Sequence, residues 1–389
     1  MDQAHLKITT RGAKRIRNGH LWVYRSDVRE ANDATAGQIV PVADEAGNAV
    51  GQAFYSDRSE IALRFLTTGE ETIDREWWRA RLRQSATRRS QVARETNAYR
   101  LVYSEGDLLP SLIVDRYDDL FVMQTLSQGT EQLKSTLAEL LVEEFKPRTI
   151  VERNDARVRE LEGLDRRAAT LYGEAPEEIE INQHGVRFLV SPLGGQKTGA
   201  FLDQRENYLA ARRVAHGPAL DCFTFNGAFA LHVASACKSV LGIDISAEAI
   251  AAAERNAVRN SASNVEFRAA NVFDAMREFE AGGERFDTII LDPPAFAKNR
   301  ASLASAARGY KEINLRALKL LNPGGVLVTS TCSYHVSEEM FLEIIADAAL
   351  DARRRVQLVE RRGQSSDHPV LLGVPETHYL KCVIARVVE

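Results

Sequence analysis

The spacing of apolar residues changes twice along the chain. Up to about residue 72 the apolar runs are short: 38–42, 49–55 and 61–66, separated by Gly37, Gly47 and the polar stretch 56–60. These runs predict strands of a small β-rich domain. From 73 to about 95 the spacing is helical, with Trp77, Trp78, Leu82 and Val92 as its contacts. Next come strands at 111–114 and 120–126, a helix at 131–145, and strands at 149–152 and about 170–172. That order describes a small α+β domain. An acidic stretch at 174–180, containing Pro176, marks its end.

Beyond it, apolar runs alternate with helical stretches. Strands are expected at 186–190, 220–223, 240–243, 265–268, 288–291, 325–330 and 379–387, with a turn at 322–325. Helices are expected at 228–237 and 247–256, the second capped by Ser246. Runs of Val, Ile and Leu without alternation are strands buried on both faces, as in a doubly wound parallel sheet. The expected fold class is therefore α/β: a Rossmann-like domain over 179–389, preceded by a β-rich domain over 1–72 and a basic helix with an α+β domain over 73–178.

Charge adds a constraint. The 389 residues carry a formal net charge of -4, so the molecule is not a polycation. Nucleic-acid contact must come from local patches. One surrounds Trp22 and Tyr24, with Lys7, Arg11, Lys14, Arg15, Arg17 and Arg25. Basic groups beside aromatics suit phosphate contact and base stacking, though the rings serve equally well as core. The other sets eight arginines between Arg75 and Arg100 against Glu76 and Glu95. Taken singly, each reads as a solvated charge. As a group, with Arg79, Arg83 and Arg88 as candidates, they form a footprint for a phosphate backbone. The start shows no signal pattern and no apolar run is long enough to span a membrane, so a cytoplasmic protein is expected. The four cysteines are scattered, which argues against a zinc site or a disulfide framework.

Candidate chemistry gathers at strand ends. The strand at 288–291 runs into Asp292-Pro293-Pro294-Ala295-Phe296. Neither proline can donate to a ladder, so the strand stops on a carboxylate, followed by a ring able to stack. Open α/β sheets bind ligands at such carboxyl ends. The strand ending at Asp244 offers a carboxylate for two ribose hydroxyls. The loop from Asp221 to Gly227 has one glycine, and bulky Phe225 would crowd a diphosphate. A nucleoside without phosphates is favoured, and S-adenosylmethionine (SAM) fits. Cys332 follows the strand beside the one ending in Asp292, so both side chains can converge. A thiolate adding to carbon 6 of a pyrimidine makes carbon 5 nucleophilic enough to take a methyl group. The plainer reading of Cys332 is a buried small hydrophobe; polar Thr331 and Ser333 argue against it.

The ordered set formed by the stretch 197–205, the Asp221 loop, Asp244, Asn271-Val272, Asp-Pro-Pro-Ala-Phe and Thr331-Cys332-Ser333-Tyr334-His335 resembles the ribosomal RNA large subunit methyltransferase I family. The match covers nearly the whole chain and extends to the PUA domain, a small RNA-binding barrel, through Arg-Gly-x-x-Arg and Gly-His-x-Trp-Val. The resemblance implies a SAM-dependent enzyme that forms 5-methylcytosine in large-subunit rRNA, with Cys332 and Asp292 catalytic. Phe201, Asp203 and Gln204 would border the methionine end of SAM. Cys222, Phe223, Thr224, Asn226 and Gly227 would form its loop, with Asp244 and Ile245 at the ribose, Asn271 and Val272 at the adenine, and Asp292 and Pro293 beside it. Pro294 and Phe296 would meet the RNA base. Asn271 departs from the aspartate common at that position. A homodimer is left open. Two other readings compete: methylation of an exocyclic amine, which needs no cysteine, and a non-catalytic RNA-binding assembly factor. A dehydrogenase is more distant, since the loop lacks the glycines.

Overall fold

The structure is a computed structural model that describes residues 6–31, 34–194, 199–297 and 300–388. Its contacts divide into two compact units: Met1–His184 with Val190–Leu202 and Ser366–Thr377, and Gly185–Leu189 with Asp203–Ser365 and His378–Glu389. The first two expected domains thus share one unit.

That unit holds two sheets. The first comprises β1 (Leu6–Ile8), β2 (Trp22–Tyr24), β3 (Val28–Glu30), β4 (Ile39–Asp44), β5 (Ala49–Tyr55) and β6 (Ile61–Thr67), in the order β2-β6-β5-β4-β1-β3. Helix α1 (Thr10–Arg17), capped by Thr9, packs its Ala13 and Ile16 into the core with Val23, Leu63 and Phe65. The strands β1 to β3 and α1 escaped the sequence reading because three-residue strands carry too few positions for a period to show.

The second sheet comprises β7 (Ala98–Tyr103), β8 (Leu112–Tyr117), β9 (Leu120–Thr125), β10 (Thr149–Asn154) and β11 (Arg167–Tyr172), in the order β11-β10-β9-β8-β7. The strand β7 was not expected. Its Arg100 is turned into an ion pair with the fully buried Asp115 of β8, at 2.7 Å, so a charge sits where an apolar residue would have marked the strand. The helix expected over 73–95 is two pieces, α2 (Arg75–Arg88) and α3 (Val92–Glu95). They part at Arg89, which turns inward, pairs with Asp107 at 2.5 and 2.6 Å, and donates to the Arg100 and Asp367 carbonyls. The helix expected over 131–145 is also two, α4 (Gln128–Gln132), started by a Ser127 capping box, and α5 (Lys134–Phe145). Short strands β12 (Ile179–Gln183) and β13 (Val186–Val190) follow; β13 lies outside the large sheet in which the sequence placed it.

The second unit is a doubly wound sheet of seven strands: β14 (Pro218–Cys222), β15 (Ser239–Asp244), β16 (Val265–Ala269), β17 (Phe286–Leu291), β18 (Leu321–Thr331), β19 (Val356–Arg362) and β20 (Lys381–Val387). Their order is β16-β15-β14-β17-β18-β20-β19. All neighbours from β16 to β18 pair in parallel, and β20 runs antiparallel to both β18 and β19. Helices α6 (Arg205–Val214), α7 (Ala228–Val233), α8 (Ala247–Arg259), α9 (Val272–Gly282), α10 (Leu303–Leu320) and α11 (Glu338–Asp351) connect or flank the strands. The expected turn at 322–325 is a bulge inside β18: Phe286 pairs with Leu321 and Thr288 already with Val326. Chain order reverses between β14 and β17, which is where such sheets open a ligand crevice. Among the described residues no helix is long and apolar enough to cross a membrane.

The buried Arg89–Asp107 pair makes the first unit testable. Arg89→Met leaves the fully buried Asp107 carboxylate with the Tyr103 N–H and the partly exposed Arg88 among its partners. Unfolding in denaturant should show a loss of about 3–5 kcal/mol; a loss below about 1 kcal/mol would mean that Arg88 takes over the pair.

Candidate active site

The crevice is built from the carboxyl ends of β14, β15, β17 and β18. The loop after β14 is tightly wound. Phe223, Phe225 and Gly227 all have positive φ, at 64°, 50° and 84°. A side chain at Gly227 would put its Cβ 2.8 Å from Phe267 Cζ, so glycine is required there. Thr224 donates its hydroxyl to Asp221 Oδ2 at 2.6 Å, and the Ala230 N–H, from the first turn of α7, reaches the same oxygen at 3.0 Å. Asp221 Oδ1 is buried without a hydrogen-bond partner. Burial, reinforced by Asp292 and Asp244, raises the Asp221 pKa to about 7.

At the end of β15, Asp244 accepts the Phe225 N–H on Oδ2 and the Ser246 N–H on Oδ1, both at 3.0 Å. Each oxygen keeps acceptor capacity, which suits a diol. Ile245 is 74 % exposed, an apolar face beside that carboxylate. Asn271 caps α9: its Oδ1 accepts from Phe273 N at 2.9 Å and Asp274 N at 3.4 Å. The expected acceptor for an adenine amino group is therefore already engaged in the cap. Val272 and Cys222 are buried in the core, which leaves only their backbones for a ligand. Burial pushes the Cys222 thiol well above its usual range, and its carbonyl takes the Asp292 N–H at 3.4 Å. Asn226 is buried and uses its carbonyl on Asn256 Nδ2.

Of the stretch 197–205, Lys197 and Thr198 lie outside the described residues. Phe201 is half-buried and belongs to the first unit. Asp203 and Gln204 are buried in the second. Asp203 Oδ2 accepts the Tyr379 hydroxyl at 2.6 Å. Gln204 Nε2 donates to Asp292 Oδ1 at 2.8 Å.

Asp292 and Cys332 leave adjacent parallel strands, paired through Leu291 and Thr329. Tyr310 on α10 ties the two loops together. Its hydroxyl accepts from Thr331 Oγ1 at 2.8 Å and from Phe296 N at 3.4 Å, and it bonds Ser333 Oγ at 2.9 Å. Ser333 Oγ in turn accepts Ala297 N at 3.2 Å. Both neighbours of Cys332 are thereby fixed, and Cys332 itself is partly exposed. Lys381, directly across from Thr331 on β20, donates to the carbonyls of Ser333 and Tyr379 at 3.4 and 3.2 Å. Burial lowers its pKa, against the opposing pull of Cys332 and Glu338. Pro293 is buried and Pro294 exposed. Phe296 rests on Tyr310, ring centres 4.6 Å apart, so only part of it can meet a base. Sequence reasoning missed Tyr310, Tyr379 and Lys381; each lies on an element whose spacing marks it only as structural.

The expected phosphate-binding arginines are largely spoken for. Arg79 pairs with Glu76, Glu143 and Glu144, Arg83 with Glu144 at 2.5 Å, and Arg88 with Asp107 at 3.1 Å. The glutamates on α5 lie about sixty residues further on, so counting charges within the run could not reveal them. On the other basic patch, Lys14 is exposed and the Arg15 guanidinium lies over the Tyr24 ring at 4.7 Å.

The crevice fits SAM by charge. Asp203, Asp221 and Asp292 all bear electrostatically on Tyr208, with Arg205 as the countering cation. A ligand carrying a sulfonium and an ammonium offsets such a field; a diphosphate would add to it.

Comparison with known proteins points the same way. A PUA-like domain family model matches residues 6–68, and a methyltransferase domain model matches residues 214–367. The chain is 39% identical to the ribosomal RNA large subunit methyltransferase I of Shewanella denitrificans, covering 98% of this chain and 99% of that one. It is 40% identical to the protein of that name from Tolumonas auensis, covering 96% and 97%. A methyltransferase structure complexed with S-adenosylhomocysteine superposes with a TM-score of 0.85 at 20% identity, over 98% of this chain and 100% of that one. A SAM-dependent methyltransferase from Streptococcus mutans gives 0.83 at the same identity and coverage.

Asp221 supplies a pH test. Its folded pKa lies above the unfolded value of 3.8, so the folded state holds the proton more tightly. The stability it contributes is full below about pH 4 and is lost as pH rises through about 7. Relative to Asp221→Asn, the ligand-free protein should lose melting temperature across that window, and S-adenosylhomocysteine, which lacks the sulfonium charge, should restore less of it than SAM. Parallel melting curves for the two proteins would remove the assignment.

Proposed function

The chain belongs to the ribosomal RNA large subunit methyltransferase I family, and on that premise we propose that it transfers the methyl group of SAM to carbon 5 of a cytosine in large-subunit rRNA. The observation that carries this reading is the Tyr310 hydroxyl, which holds the Asp-Pro-Pro and Thr-Cys-Ser loops as one constellation. An amine methyltransferase has no use for a partly exposed cysteine held there.

When bound, SAM supplies the electrophilic methyl group. The chain's own residues do the rest. Asp244 takes the ribose hydroxyls, Ile245 and the α9 end with Asn271 border the adenine, and Asp203, Gln204 and the Phe223–Gly227 loop border the methionine end. Pro294 and the exposed part of Phe296 meet the base. Cys332 adds as thiolate to carbon 6, and Asp292 holds the base edge by accepting from the amino group or a protonated N3. Once carbon 5 carries the methyl group, a base removes its proton and the Cys332 thiolate is expelled, which restores the aromatic ring. The 1–72 domain binds RNA through the Lys14 and Arg15 face, 73–178 acts as a platform, and 179–389 carries the chemistry. Of the arginines, Arg83 reaches a phosphate by exchanging Glu144 for it; Arg79 and Arg88 support it structurally. The reading places the protein in the cytoplasm.

Two measurements test the site. Asp244→Ala leaves the ribose hydroxyls without their acceptor and should weaken SAM binding by about 1–3 kcal/mol in calorimetry; unchanged affinity in a folded variant removes that role. Cys332→Ala should keep the fold, SAM and RNA binding yet lose turnover by many orders of magnitude, because the unactivated carbon is barely nucleophilic. Wild-type protein should form a covalent complex with RNA carrying 5-fluorocytosine, since fluorine cannot leave as a cation. Substantial methylation by Cys332→Ala with no adduct would instead support transfer to an exocyclic amine.

A further inference from the structure

Behind Asp292 runs a buried polar chain with a definite direction. Arg362 Nε donates to Asn207 Oδ1 at 2.7 Å, Asn207 Nδ2 donates to Gln204 Oε1 at 2.6 Å, and Gln204 Nε2 donates to Asp292 Oδ1 at 2.8 Å. The oxygen and nitrogen of an amide have nearly the same shape, so a run of amides can point either way unless its partners decide. Here they do. A guanidinium only donates, so Arg362 must face the Asn207 oxygen. A carbonyl only accepts, and Gly363 O lies 3.0 Å from Asn207 Nδ2. Both ends of the Asn207 amide are therefore pinned by partners of opposite and fixed character. The remaining Nδ2 hydrogen goes to Gln204 Oε1, which leaves Gln204 an N–H to present to Asp292. Gln204 and Asn207 are each 1 % exposed, so bulk water cannot relax the choice.

We propose that Asn207 and Arg362 are positioning residues that impose hydrogen-bond direction on Asp292, so that this carboxylate meets the target base as an acceptor. The inference rests on the reading that Asp292 holds the base edge. It adds a basis for selectivity: an ionised carboxylate offers acceptors alone, which welcomes the N–H groups of a 4-amino pyrimidine and opposes the oxygen at the same place on a 4-oxo pyrimidine.

The direction matters because the surroundings work against the charge. Asp221 at the end of β14 bears on Asp292, and Tyr208 on α6 and Cys382 on β20 lie in the same field. Asp203 and Asp244 add negative charge to the crevice; among the described residues, Arg205, and Arg362 opposed by Glu360, contribute positive charge. Against three neighbouring carboxylates, an N–H delivered to Oδ1 favours the ionised form of Asp292. Turned round, the same amide would present Oε1, and Asp292 would have to carry a proton to satisfy it.

Asn207→Asp performs that reversal. The new carboxylate still accepts from Arg362 but has no hydrogen for Gln204, which turns to donate to it and shows Oε1 to Asp292. The titration of Asp292, followed in RNA-free protein by infrared difference against Asp292→Asn, should move up by about one pH unit or more. The acid limb of kcat/KM for methyl transfer to large-subunit rRNA should move with it. Should Asn207→Asp not fold, Gln204→Glu sets a carboxyl directly against Asp292 and should raise the same titration. An unmoved titration in a folded variant overturns the proposal. The infrared readout involves neither RNA nor Cys332, so it stands or falls separately from the carbon 5 reading, which the Cys332→Ala result decides.

Discussion

One buried phenol holds the reactive end of the sheet together. Parallel pairing brings β17 and β18 side by side, but the chain leaves both strands as loop, and loops do not hold geometry by themselves. Tyr310, fully buried on α10, supplies what the ladder no longer does. It accepts from one loop's backbone and from the other's Thr331, and it shares a hydrogen bond with Ser333. Burial raises its pKa and Cys332 adds to the rise, so the hydroxyl keeps its proton. A hydroxyl already taking Thr331 and Phe296 must spend that proton on Ser333 Oγ. Removing the ring would also remove the surface on which Phe296 rests.

Most of the large sheet was legible because β14, β17, β18 and β20 are largely buried and read as apolar runs; the mostly exposed β19 gave no such run and was not expected. The carboxylates at strand ends, Asp244 and Asp292, were legible for the same reason: a polar residue after such a run marks the sheet's end. The misses share a different cause. Arg100, Arg89 and Asp107 are buried through pairing, and a paired charge looks like a surface charge until its partner is known. Asn207 and Arg362 lie 155 residues apart in the chain. No local pattern joins them. Arg79 and Arg83 show the converse: a local count sees a basic run, while the glutamates that pair with them lie on α5, far along the chain.

The loop after β14 shows how little glycine a nucleoside site needs. Two of its three left-handed positions carry phenylalanine, each at a cost of about 1–2 kcal/mol. Fixed partners offset it. Thr224 N reaches the Ile243 carbonyl at 3.0 Å, and Gly227 N reaches Thr224 O at 2.9 Å. Phe225 N reaches Asp244 Oδ2. The carboxylate proposed to receive a ribose is thus also a brace of the loop, and loss of that side chain would loosen the loop as well.

That double use extends to the charge balance of the crevice. Without ligand, the fold keeps Asp221 buried with one oxygen unsatisfied, and burial raises its pKa to about 7. Burying a carboxyl group with an unpaired oxygen is costly in itself. A cationic ligand relieves it, and a product that has lost its sulfonium charge relieves it less. Methyl transfer removes that charge from the cofactor. On the proposed placement of SAM, the charge term of these carboxylates favours the sulfonium cofactor over its uncharged product, so the same electrostatics would favour exchange of the spent cofactor.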